Sequence, residues 1–93
     1  MDIKERFELV EDDHLSFKKV KNKHSNRADL HAFLMLDRLF PKSRDMIVCS
    51  EHDTIWLDVE SDQAETLTDE QILELTRCGV FLDSDSERLA MFT

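Results

Sequence analysis

Within ten positions the chain places Cys49, Ser50, Glu51, His52, Asp53 and Asp58, residue types that serve as nucleophiles, general bases and metal ligands. A thiolate attacking a carbonyl would need Cys49 beside an imidazole that takes its proton and a carboxylate that orients the ring, roles open to His52 and Asp53. A metal-dependent hydrolase would need three or more of the same groups around one ion. The residues between them argue for something plainer. Ile55, Leu57 and Val59 alternate with Thr54, Trp56 and Asp58, and Met46 to Cys49 form a short apolar run, so residues 46–59 predict two strands joined across Ser50 to Asp53. Glu51, His52 and Asp53 then stand at an exposed tip, where water screens charge and no apolar wall shifts a pKa. Strand alternation turns neighbouring side chains to opposite faces, and Cys49 reads as a small buried hydrophobe.

Other catalytic patterns are missing from the chain. Neither Cys49 nor Cys78 belongs to a CxxC pair, and His14, His24, His31 and His52 have no HExxH spacing. Asp83, Asp85 and Glu87 open like a calcium loop, but Arg88 stands where such a loop turns on glycine. The chain has one glycine, which leaves no P-loop, GxGxxG or GxSxG motif. This reading assigns no catalytic, cofactor-binding or metal-ligating residue, and no cofactor. A small hydrolase or metal-dependent enzyme built on Cys49, His52 and Asp53 is the weakest of three functional readings.

The elements that would position these residues follow from periodicity and caps. A chain of 93 residues, 41% of them hydrophobic, fits one domain with one modest core, spanning residues 1–93. FELV and LSFKKV flank the polar EDDH and predict a loosely ordered N-terminal hairpin or edge strand within residues 1–24, followed by the basic connector KNKHSN. Ser25 or Asn26 is expected to cap a helix over RADLHAFLMLDRLF that stops at Pro41. Leu30, Phe33, Leu34, Leu36, Leu39 and Phe40 cover much of its circumference, with Arg27, His31 and Arg38 as the polar strip, and Leu34 is expected in the core. Thr68-Asp69-Glu70-Gln71 is a capping-box opening for a second helix that ends at Gly79. VFLD and LAMF on either side of SDSER predict a terminal hairpin. Together these elements predict an α+β fold, two helices packed on a mostly antiparallel sheet built from β-hairpins.

The segments RADLHAFLMLDRLFP, SEHDTIWLDV and LTRCGVFLDSDSERLAMFT, taken in order, resemble small proteins encoded by tailed bacteriophages and prophages. The resemblance covers residues 25–93. It implies a bacterial cell as the setting, and it carries no activity, cofactor or catalytic residue to transfer. The segment before residue 25 departs more freely.

Charge narrows the function classes. The formal net charge is −9, with a balance of +1 over residues 1–27 and −10 over residues 28–93. Such an acidic body disfavours direct nucleic-acid binding, which needs clustered Lys and Arg on phosphates. It suits a basic protein partner, including one that itself binds nucleic acid. The N-terminal MDIKERFELV has charges where a signal peptide needs an apolar core, and no apolar run is long enough to span a bilayer, so a soluble cytoplasmic protein is expected. Two isolated cysteines suit a reducing compartment. The leading expectation is a non-enzymatic protein–protein interaction module acting on a host or phage protein. Its candidate partner surface is Trp56, Asp58, Glu51, His52 and Asp53, with Trp56 as the apolar anchor. The alternative is a self-assembling structural or accessory protein, such as a homodimer.

Overall fold

A computed structural model of the chain describes residues 1–92. The fold is α+β: four helices accompany one four-stranded antiparallel sheet among the described residues. The helices are α1 (Ile3–Glu8), α2 (Ala28–Leu39), α3 (Ser61–Ala64) and α4 (Asp69–Arg77). The strands are β1 (Ile47–Glu51), β2 (Thr54–Glu60), β3 (Val80–Asp83) and β4 (Arg88–Phe92). They lie in the order β1-β2-β4-β3, so two hairpins join through pairing of β2 with β4.

The N-terminal strand or hairpin expected over residues 7–20 is a helix followed by two single 3-10 turns. Asp2 starts the helix, its Oδ1 accepting from the amide of Glu5 at 2.8 Å. Ile3 and Phe7, one turn apart, are both buried, and this period of four outweighs the apparent alternation further on. That alternation breaks at Leu15, whose φ of 65° lies outside strand geometry and whose amide donates to the Thr76 carbonyl. Arg6 clamps α1 to the α3–α4 region. Its guanidinium donates to the carbonyls of Glu65 at 3.2 Å and Leu67 at 2.6 Å, and to the Asp69 carboxylate.

Helix α2 occupies the expected residues but starts and faces differently. Arg27 takes the cap position without a side-chain cap, while the Ser25 hydroxyl, two residues earlier, accepts from the Arg27 amide. The buried face is His31, Ala32, Met35 and Leu36, and the polar strip expected through His31 is therefore not one. His31 is 0% exposed, whereas Leu30 and Leu34 are 43% and 44% exposed. Apolar residues surround this helix, so periodicity alone left its inward side open; packing on the buried imidazole, which has two polar partners, chose it.

The β1–β2 hairpin forms where expected, with His52 and Asp53 as a two-residue connection and His52 at φ 52°. One extra residue bulges β1 between Ile47 and Cys49. All five β1 residues are exposed, so Cys49 is not the buried hydrophobe expected of it; β1 is an edge strand with nothing packed outside it among the described residues. Helix α4 opens with the capping box that its sequence announces: Thr68 Oγ1 accepts from the Gln71 amide at 3.1 Å, and Gln71 Oε1 from the Thr68 amide at 2.9 Å. It closes at Gly79, where φ is 100° and an added Cβ would come within 2.7 Å of Leu15 Cδ2. The β3–β4 hairpin completes the sheet around residues 84–87.

Successive strand residues face opposite sides, and this divides the sheet sharply. Leu57, Val59, Val80, Leu89 and Met91 enter one continuous core with Ile3, Phe7, Ala32, Met35, Leu36, Ile72 and Leu75. Their neighbours Trp56, Phe81, Ala90 and Phe92 lie outside that core.

Candidate functional site

The second face of the sheet is set by register. Cys49, Trp56, Ala90 and Phe81 stand opposite one another in a row across β1, β2, β4 and β3, and Glu51, Thr54 and Phe92 form the next row. Residues directly opposite in antiparallel strands share a face, so these side chains lie on the side away from the core, where Phe81 and Phe92 also border a hollow lined by Lys4, Phe7 and Glu8 of α1. Trp56 is half-buried, and its indole Nε1 donates to Asp83 Oδ2 at 2.7 Å. To reach β3 from β2 the indole must cross β4, where the residue opposite Trp56 is Ala90, small and 0% exposed. Phe81 and Phe92 stack with ring centroids 4.7 Å apart, and the His14 ring meets both edge-on. Phe92 remains 59% exposed. Beside the indole a shallow hollow of about 400 Å³ is lined by Val48, Cys49, Glu51, Trp56, Ser86 and Arg88. The bulge brings Val48 to the same side as Cys49, which adds an exposed valine to the rim.

Acidic groups flank this apolar strip at both ends. Glu51 and Asp53, with His52 between them, form the exposed β1–β2 tip; Asp83, Asp85 and Glu87 belong to the β3–β4 turn at the opposite end of the paired strands. The Trp56 indole, followed by the Ser86 hydroxyl, holds the Asp83 carboxyl below the usual aspartate range.

The residues singled out from the sequence separate into two groups. Trp56, Glu51, His52 and Asp53 border the open face. Asp58 lies farther along β2, is 8% exposed and is committed to cations: Arg44 donates to Oδ2 at 2.5 Å and to Oδ1 at 3.2 Å, and Lys42 Nζ lies 3.4 Å from Oδ2. The Arg44 bond is the main reason that the Asp58 carboxyl is held below its ordinary value. Cys49, His52 and Asp53 share no hydrogen bond among the described residues, and no group of three or more His, Cys, Asp or Glu is placed there to hold a metal ion. Cys78, the residue that caps the C-terminus of α4, is buried, its thiol pushed up to about 12 by burial and then by Glu74.

The chain matches no protein-family model, no curated protein and no solved structure. No helix among the described residues is long and apolar enough to cross a membrane.

Three members of the open face, Phe81, Ala90 and Phe92, were not singled out by sequence. The signal was present as alternation: Phe81 and Asp83 share one side of β3, as Ala90 and Phe92 share one side of β4. Only the order β1-β2-β4-β3 brings those sides next to Trp56.

Proposed function

We propose that the chain is a protein–protein interaction module and that the open face of its sheet is the contact surface. The observation that carries this reading is the aromatic strip of Trp56, Phe81 and Phe92 lying outside the core with carboxylates at both ends. Aromatic side chains give large contact areas at low entropic cost, and tryptophan is over-represented at binding hot spots. The flanking acids select a partner segment with apolar residues at its centre and Lys or Arg at its ends. The net charge of −9 supports a basic protein and opposes a second copy of the same chain on this face. With the resemblance to phage and prophage proteins, the proposed setting is the bacterial cytoplasm, and the proposed target is a host or phage protein that is itself basic.

A second reading, self-assembly, is favoured by β1 alone. Its exposed Ile47 and Val48 and its unpaired outer edge offer backbone groups to an added strand.

The test is affinity capture from bacterial lysate at low and high salt, using the wild type, Phe92→Glu and Val48→Lys, with sedimentation of each purified protein. The proposal expects one basic partner that is lost at high salt and lost with Phe92→Glu. A partner that binds Phe92→Glu undiminished overturns the assignment of the face. A wild-type dimer that Val48→Lys dissociates, with no partner captured, replaces it with self-assembly.

A further inference from the structure

On the far side of the molecule the basic connector is fixed in place by a buried histidine. His31 lies wholly inside, with its Nε2 2.7 Å from Glu74 Oε2 and its Nδ1 accepting from the backbone amide of His24 at 3.1 Å. Because Nδ1 accepts, the ring proton sits on Nε2 and points at Glu74. The His24 ring stacks on His31 with centroids 5.5 Å apart, Phe17 meets His31 edge-on, and Asn22 turns the chain with φ 54°. The basic connector is thereby held against α2 and α4.

The pinned connector forms one wall of a cleft of about 540 Å³, within the range of roughly 300–1,000 Å³ typical of small-molecule sites. Lys19, Lys21, His24, Arg38 and Arg77 bring cationic or imidazole groups to its lining; Glu70 and Glu74 bring carboxylates. Several of these are already satisfied. Asp13 lies 3.4 Å from both Lys19 and Arg77, and Glu74 is engaged by His31. Lys21 and Arg38 form no ion pair among the described residues, although the chain has 21 carboxylates for 12 Lys and Arg. Arg38 spends one Nη1 bond, at 3.0 Å, on the Nε2 of His24, which fixes its guanidinium without neutralising it. The lining carries four Lys and Arg side chains against the carboxylates of Glu70 and Glu74, with Asp13 alongside, a small local excess of positive charge in an acidic molecule. Val20 and Leu73 give the same cleft an apolar surface, and Glu70 stands free of ion pairs among the described residues.

We propose that this cleft binds a small organic phosphate, its dianion held by Arg38 and Lys21, its organic body against Leu73 and Val20, and Glu70 accepting from a hydroxyl or amino group. Arginine presents a planar fork of donors matched to phosphate oxygens, and lysine adds a point charge. The carboxylate opposite favours an organic body that carries a hydroxyl or amino donor for it. This site is separate from the open sheet face and independent of what binds there.

The experiment is a two-dimensional amide NMR titration of the full chain with AMP, glucose 6-phosphate, glycerol 3-phosphate, adenosine, inorganic phosphate and a phosphoserine peptide. The expected result is saturable movement of amides in residues 19–24 and 73–77 with at least one of the three organic phosphates, and none with adenosine. Arg38→Ala and Lys21→Ala, both at exposed positions, are expected to weaken that binding at least tenfold with the rest of the spectrum unchanged. Inorganic phosphate binding as tightly as every organic phosphate overturns the proposal, as does the absence of saturable movement with all three. Saturation by the phosphoserine peptide alone overturns it in favour of a phosphoprotein partner.

Discussion

Trp56 on β2 and Asp83 on β3 are joined by a 2.7 Å hydrogen bond although β4 lies between their strands. The bond ties the indole of Trp56, which pairs in register with Ala90, to the next strand and restrains the centre of the open face. A contact surface whose anchor is already held in one rotamer loses little entropy when a partner arrives.

The chain's single tryptophan makes this bond directly observable. Protonating Asp83 weakens it as an acceptor, so Trp56 fluorescence is expected to titrate with a midpoint below the usual aspartate range. Asp83→Ala should abolish that transition and cost about 1.5–3 kcal/mol of stability, the range for hydrogen bonds to a charged acceptor, since the Ser86 hydroxyl loses the same partner. An unchanged acid titration in the variant would assign the transition to another carboxylate.

Helix α2 gives a paired test of packing. Leu36 is fully buried, and Leu36→Ala should cost about 2–5 kcal/mol. Leu34 points outward, and Leu34→Ala should change stability by less than about 1 kcal/mol. Chemical denaturation of both variants checks the orientation, and equal losses would contradict it.

Acid should release the Asp58 cluster. Its carboxyl titrates lower folded than unfolded, so the stability it contributes is present above the unfolded value and disappears as pH falls through the folded one. Asp58→Asn is therefore expected to lower Tm at pH 7, with the two Tm curves converging as the pH drops below about 4. Curves that stay parallel through that window would mean that Arg44 and Lys42 add nothing to folding.

The two cysteines should differ in reactivity. Cys49 is exposed on β1, whereas Cys78 is buried with its thiol pushed up to about 12. A thiol reagent at neutral pH is expected to modify one cysteine in the native protein and both after denaturation. Rapid native modification of two would show that α4 opens readily.

What could be read from sequence was what local rules decide. The β1–β2 hairpin, the Thr68–Gln71 capping box and the stop at Gly79 each depend on residues within a few positions of one another. The first helix was misread because its cap is Asp2 and its apolar signal is only Ile3 and Phe7, too few turns to establish a period. The face of α2 depended on what His31 meets 43 residues later, and no local pattern encodes Glu74. The candidate site was half legible: alternation placed Trp56 with Thr54 on one side of β2, but the neighbours of that side come from a strand order that the sequence does not state. Asp58 obeyed the same alternation and was drawn out of the surface by Arg44 and Lys42.

The clamp at Arg6 has a consequence for biosynthesis. Its acceptors on Glu65, Leu67 and Asp69 lie 59 to 63 residues downstream. At roughly 5–20 residues per second, a ribosome needs about 3–12 s to supply them. A six-residue helix is not stable alone, so throughout that interval Ile3 and Phe7 have no place to go. Helix α1 thus docks only once residues 65–69 have been made, and for those seconds the nascent chain offers two unburied apolar residues to a chaperone.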